Sequence, residues 1–587
     1  SYVMTLVTIL TMLFVLLFSY SNAQNNKEYL RKEYTFQEIG FAKEDIKLTG
    51  VNPVYDIFIP VYPNFLEAIL TLNIRTPDYL RKDSSITVYV DDVPVYNINN
   101  ASGINEKVSL RMVGRGRKNF VKVSIRGNLR ISNNICDDIF SDRLYMIISK
   151  TSTISFTYEE PKDIYVFLKD YSNTFCIDNI KLIPLAYYLS VINPIKQNFL
   201  WSPSSNCKHI KLGDKTYLQG NVLYISEKDL KAITNRQDSL LFGREINVIQ
   251  SKEDKEGLGR EISLRDMGFT TTTVKGIANL TVSIPFDTGR FSGMPDKLYL
   301  RLKFANSYPY EVDKLSLRIF LNNSLIKAMN LEDGGIKSID VEIPTNLLSY
   351  GYNKLDINLA NFVTSNNCFG AITHSILTIY DDSYFYWNAV KKEPKTISDF
   401  IKLLNGDVLI VLEDHGLIPV ALNLLNGIAE INKNVRKIDI SQEEKDGYDF
   451  VLKFKKPKWE KGTFEVYNPL TEEVIFSAKY SKPFIFVSLG ERPRQLEITY
   501  YGNPNITHIA QSYKIEDWMN LFGNIGIFTE DYPISFEVGK KLRIRHEFEK
   551  SLSYYWNLYK LWIIILLGAF VFAFLVYVYK RLTRRPA

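Results

Sequence analysis

At 587 residues, with 46% hydrophobic and 13% aromatic content, the chain is long enough for several packed cores and too apolar for a disordered protein. One domain per ~150 residues suggests about four. Lys and Arg number 71 against 65 Asp and Glu, too small an excess over this length to mark a nucleic-acid-binding protein, and no basic helix stands out.

The chain opens with SYVMTLVTILTMLFVLLFSYSNAQ, an apolar run ahead of Ser21, Asn22 and Ala23, with small residues at the two positions a signal peptidase reads. Residues 1–23 are therefore expected to direct export. From 24 to 187, alternating runs such as AILTLNI, SITVYVD, KVSI and STISFTY are separated by Pro, Gly, Asn and Asp turns. This spacing predicts an antiparallel β-sandwich of jelly-roll type. Within it, RMVGRGRKNFVK carries Arg111, Arg115, Arg117, Lys118 and Lys122. Gly114 and Gly116 read as turn residues and make this run a solvated loop and strand face; an anionic partner is the other reading.

Residues 188–258 hold NVLYIS and a short helix after Asp229, a reduced α/β domain. Residues 259–388 return to alternating strands, LYLRLKF, LSLRIFL and KLDINL, and predict a second sandwich. The two sandwiches match in order: FQEIGF with LRDMGF, DIFIPV with TVSIPF, SITVYVDD with SLRIFLNN, SNNIC with SNNC, and MIISKTS with LTIYDDS. A collinear set of this kind indicates a duplicated module. Residues 389–538 read as helix, VLIVL strand, helix from about Pro419 to Asn432, then KIDI strand, a β-α-β unit to which DFVLKF and FIFVSL add strands.

Ile544, Phe548, Leu552, Tyr555 and Tyr559 recur at helical spacing, so residues 539–560 are expected to form an amphipathic helix on the membrane surface or packed on the last domain. LWIIILLGAFVFAFLVYVY, residues 561–579, has no charge and extends about 28 Å as a helix, enough to span a bilayer core. Trp556, Tyr559, Trp562, Tyr577 and Tyr579 are placed for the headgroup region, and a basic tail, 580–587, follows. Basic residues also lie before the span, so the export signal decides the orientation: bulk outside, tail inside.

Cys136, Cys176, Cys207 and Cys368 permit two disulfides, with all three connectivities open, and their spacing excludes CxxC metal or redox motifs. The five histidines, His209, His374, His415, His508 and His546, lack HxH or HExxH spacing, and neither GxSxG nor GxxxxGK[ST] occurs. No cofactor or metal is indicated. The carboxylate pairs Asp91/Asp92, Glu159/Glu160 and Asp381/Asp382 read as turns, because adjacent strand residues point to opposite faces. Trp201 and Trp387 lie in polar, loop-like settings beside the sandwiches and are candidates for stacking on sugar rings, with packing at a domain boundary as the other reading.

Taken together, the paired IGF/MGF and IP elements, the repeated strand before a polar turn, CDDIFSDRLYMIISKTS and DWMNLFGNIGIF resemble the bacterial cellulose synthase BcsB family, its membrane-anchored extracytoplasmic subunits, over residues 35–579. The resemblance implies two carbohydrate-binding jelly rolls alternating with two flavodoxin-like α/β domains, then an interfacial helix and one C-terminal transmembrane helix. It implies a non-catalytic component of a cellulose or related exopolysaccharide synthase in the inner membrane. Its expected partners are the catalytic glycosyltransferase, the nascent polysaccharide, the membrane and further copies of the chain. Tyr145 stands where the family resemblance places a tryptophan, making it a third candidate for carbohydrate contact. Cyclic di-GMP is associated with this family, and Arg111/Arg115 and Arg126/Arg130 have RxxxR spacing, but those residues are expected outside the cytoplasm, so sensing is assigned to the synthase. The alternative is an exported glycan-modifying enzyme using Asp407, Glu413, Asp414 and His415 after the VLIVL strand.

Overall fold

The computed structural model describes residues 29–584, except 43, 114–119, 140, 194, 202–206, 236–239, 243–245, 249–259, 268, 278, 292–294, 310–314, 350–351, 362–373, 388–392, 434, 458–461, 480–481, 491, 493, 503–505, 540 and 549–551, together with residues 8, 9 and 12. Apart from those last three, the expected export signal lies outside the described residues, as do Arg115, Arg117 and Lys118 of the basic run.

Alternation along the strands builds both sandwiches. Phe65–Arg75 sends Ala68, Leu70, Leu72 and Ile74 into the first core, and Leu298–Asn306 sends Leu298, Leu300, Leu302 and Phe304 into the second. One sheet of the first sandwich runs Tyr29–Thr35, Thr153–Glu159, Phe65–Arg75, Tyr145–Ile148 and Ile46–Thr49, with Asn105–Val113 also paired to Phe65–Arg75. The corresponding sheet of the second runs Arg260–Ser263, Tyr384–Trp387, Leu298–Asn306, Ser375–Ile379 and Thr272–Gly276, with Gly335–Ile343 on Leu298–Asn306. The facing sheets also match: Val54–Pro60, Phe120–Asn128, Ser85–Val90, Val93–Ile98 against Leu280–Asp287, Tyr352–Asn361, Leu315–Leu321, Ser324–Asn330. Even the turn repeats. Asp91 and Asp92 (φ 47° and 64°) and Asn322 and Asn323 (φ 47° and 71°) all adopt the left-handed conformation that a two-residue hairpin loop needs.

The first α/β unit begins before residue 188. Thr174–Ile177 pairs in parallel with Asn198–Trp201 and Lys208–Leu212, so this strand, the helix Ile164–Leu168 before it and the helix Leu185–Ile192 after it belong to the α/β unit and not to the sandwich. The joint is pinned by Tyr171, whose ring lies in the first sandwich core 4.3 Å from Phe156 and whose hydroxyl accepts from the Tyr62 amide and donates to the Pro60 carbonyl.

In the second unit Gly406–Leu412 lies between Val435–Ser441 and Phe450–Phe454, all parallel, with Gln495–Tyr501 next in the sheet. Pro419 opens the connecting helix Ile418–Ile431, where its fixed φ suits the first turn. The two α/β units share one hydrophobic core. Across it the Tyr187 hydroxyl donates to the Asn432 carbonyl at 3.0 Å and accepts from the Val435 amide at 3.2 Å.

Residues 539–560 do not form the expected amphipathic helix. Arg543–Phe548 is a strand paired with Gly462–Tyr467, which also pairs with Val474–Lys479; these three make a separate small sheet over Phe464 and Val466. RIRHEF alternates with period two, and that pairing overrides the longer helical spacing. One helix, Leu552–Thr583, then runs on without a break. Its Tyr555–Thr583 part has mean hydropathy 2.8 and is unburied, long and apolar enough to cross a membrane.

Candidate functional site

The residues facing away from the core on the second sandwich form an aromatic ridge. Cross-strand register sets Tyr299 opposite Tyr386 and Arg301 opposite Tyr384, while Arg301 and Asp340 are paired on the other side. The rings of Tyr299 and Tyr386 stack with centroids 5.2 Å apart, and Tyr384 lies 6.0 Å from Tyr386 at a 52° tilt. The Tyr386 hydroxyl donates to Asp340 Oδ1 at 3.3 Å, and Arg301 holds Asp340 Oδ2 at 2.6 Å. Lys303 pairs with Asp382 at 2.7 Å. Partial burial, then the Asp340 charge, raise the Tyr386 pKa, so the group stays a neutral phenol and a hydrogen-bond donor. Ring surface flanked by fixed polar groups suits a ligand with apolar C–H faces and hydroxyl edges.

The first sandwich lacks this ridge. Its registered positions hold Ile69 opposite Ser155 and Thr71 opposite Thr153, beside an Arg111–Glu67 ion pair at 2.6 Å. The duplicated modules keep one topology and present different surfaces.

Trp387 is not on the ridge. It is 5% exposed and packs in the second core with its ring 4.9 Å from Phe291, because on a four-residue strand it shares the inward parity of Phe385. Trp201 is partly buried on the edge strand of the first α/β sheet, against the core shared by the α/β units. Tyr145 points outward on the first sandwich, with the Lys47 ammonium 4.6 Å from its ring. Sequence reasoning missed Tyr299, Tyr384 and Tyr386. The signal was present in LYLRLKF and YFYW, whose inward positions are apolar and whose outward positions include all three tyrosines. Trp556, Tyr559, Trp562, Tyr577 and Tyr579 are all exposed on the long helix.

The family whose model is described as "Cellulose synthase BcsB, first CBM domain" matches twice, over residues 30–160 and 259–390, the two sandwiches. The chain belongs to the cellulose synthase BcsB family. No curated protein matches it. Among solved structures, the sugar-binding EclA C-terminal domain aligns at 9% identity over 22% of this chain and 80% of its own, with TM-score 0.13. The M60 catalytic domain with CBM51-1 and CBM51-2 of Clostridium perfringens ZmpB aligns at 8% over 59% and 34%, TM-score 0.14, so this chain spans about a third of that one. The CBM22-1–CBM22-2 tandem of Paenibacillus barcinonensis Xyn10C aligns at 7% over 62% and 94%, TM-score 0.14. Such scores carry neither fold nor function over to this BcsB-family chain.

The residues on which an enzymatic reading rested are engaged structurally. Asp414 caps a helical turn through the Gly416 amide at 2.7 Å and accepts from the Tyr500 hydroxyl at 3.1 Å. Asp407 is paired with Arg436, and Glu413 with Lys453. Cys176, Cys207 and His209 lie close together, but the two sulfurs are joined in a disulfide and leave no thiolate for a metal. Cys136 is also disulfide-bonded, and Cys368 lies outside the described residues. Arg126 lies over Tyr89 and reaches Asp92, and Arg130 is locked to buried Asp138, so that RxxxR pair is occupied.

Proposed function

We propose that this BcsB-family chain is a non-catalytic, membrane-anchored component of a cellulose or related exopolysaccharide synthase. Its second sandwich receives the secreted glycan outside the membrane. The observation that carries this reading is the Tyr299–Tyr384–Tyr386 ridge on a module of the BcsB family. The exposed helix Leu552–Thr583 anchors the chain and packs on the catalytic glycosyltransferase, with the bulk on the extracytoplasmic side of the inner membrane. The parallel strand order, in which the first strand of each α/β unit lies between its second and third, supports flavodoxin-like domains serving as rigid spacers. Sensing of cyclic di-GMP belongs to the glycosyltransferase. The test is co-purification of the full chain with its glycosyltransferase from membranes. Replacing residues 552–583 by an unrelated membrane-spanning helix should keep the chain in the membrane and lose the partner; an undiminished complex would remove the helix from the interface.

A further inference from the structure

Both sandwiches and both α/β units line one cleft of about 2140 Å³. Its lining includes the polar edges of the packed helices Leu185–Ile192 and Ile418–Ile431, and the Asn322–Asn323 turn of the second sandwich. A site for one small molecule occupies roughly 300–1,000 Å³, so this cleft has room for a chain of linked units.

Its charged groups are engaged with each other: Lys196 meets Glu430 at 2.9 Å, and Lys433 pairs with Asp287. Neutral amides remain available. Gln37, Asn198 and Asn323 are exposed in the lining and make no side-chain hydrogen bond to described residues. Deeper in, Asn193 donates its amide nitrogen to the Leu168 and Leu189 carbonyls, and Gln197 donates to Ile195, while Asn193 Oδ1 and Gln197 Oε1 have no partner. Buried carbonyl oxygens of this kind require an O–H or N–H donor, from water or from a ligand that orders water. An amide offers a donor and an acceptor side by side, the complement of neighbouring hydroxyls.

We propose that this four-sided cleft is a second saccharide-binding site, separate from the tyrosine ridge, that takes an extended, uncharged, polyhydroxylated chain through amide–hydroxyl hydrogen bonds. The assignment rests on the glycan-handling reading above and adds a location that the ridge does not supply.

Hydrogen exchange of the full chain in detergent, with cellohexaose as probe and a hexasaccharide of uronic acids as charged comparison, tests it. Cellohexaose should slow exchange several-fold in 185–198 and 320–326. Gln37→Ala/Asn198→Ala/Asn323→Ala should abolish that slowing without lowering the melting midpoint. Tyr299→Ala/Tyr386→Ala should keep it while losing protection at 298–306 and 384–387. No slowing in 185–198 and 320–326, slowing that survives the triple substitution, or equal slowing by the uronic acid probe would each overturn the proposal. Protection confined to 298–306 and 384–387 would remove the cleft and leave the proposed function standing. Loss of glycosyltransferase co-purification would strike that function and not the cleft.

Discussion

Tyr299 and Tyr386 are cross-strand partners on the outward face of the second sandwich, with rings stacked at 5.2 Å, whereas the matching positions of the first sandwich hold Ile69 and Ser155. Two modules alike to the conformation of a turn have therefore diverged at the surface that meets solvent. Duplication supplied a scaffold twice and a ridge once.

Loss of one ring of the ridge should be felt and loss of Ile69 should not. An aromatic contact is worth about 0.5–1.5 kcal/mol, so Tyr299→Ala or Tyr386→Ala should each weaken cellohexaose binding about 2- to 12-fold by calorimetry, with Ile69→Ala unchanged. Because the Tyr386 pKa is raised, binding should stay level as pH rises through the neutral range. A fall through neutral pH would show that another group governs the site.

Trp387→Ala removes a core ring and should lower stability by about 3–5 kcal/mol, read as a fall in the melting midpoint of the full chain. Trp201→Ala, at a partly buried edge position, should cost less. Reversal of that order would contradict the placement of the two indoles.

Lys208 and Asp170 form a buried ion pair at 2.7 Å, the ammonium also donating to the Phe167 carbonyl and lying 4.3 Å from the Phe175 ring centre. Burial raises the Asp170 pKa and lowers that of Lys208, with each partner's charge opposing the shift. Lys208→Met strands a buried carboxylate and should cost about 3–5 kcal/mol, while Asp170→Leu/Lys208→Met should recover most of it. A folded pKa above the unfolded one gives stability that is present in acid and lost as pH rises through the folded value. Lys208→Met removes the charge that opposes the rise, so its melting midpoint should fall more steeply than that of the parent between about pH 4 and 7. A parallel pH profile would mean that the carboxylate finds another partner.

The Cys176–Cys207 disulfide closes a sequence separation of 31 residues around the first α/β sheet. Cys207→Ser should lower stability by about 3 kcal/mol, measured by thermal unfolding under non-reducing conditions. An unchanged midpoint would mean that the sheet holds these strands without the bridge.

The repeat was legible because alternation and turn chemistry act locally: SITVYVDD and SLRIFLNN specify a half-buried strand and a left-handed turn without long-range help. The boundary at residue 188 was not, since TFCI is only four residues long and becomes a strand through parallel pairing with chain that follows it. At RIRHEF two periodicities overlapped, and the strand prevailed because Gly462–Tyr467 supplies a partner. The ridge was readable from strand parity, but the size of Trp387 drew attention to the inward side of the same four residues.

Titration of cellohexaose into the purified full chain, with the sugar then sized by mass spectrometry, tests the central claim most directly. Saturable binding that disappears in Tyr299→Ala/Tyr384→Ala/Tyr386→Ala at the ridge, with the hexasaccharide recovered whole, is the expected result. Shortened sugar, or ridge-region protection that survives loss of all three tyrosines, would contradict it.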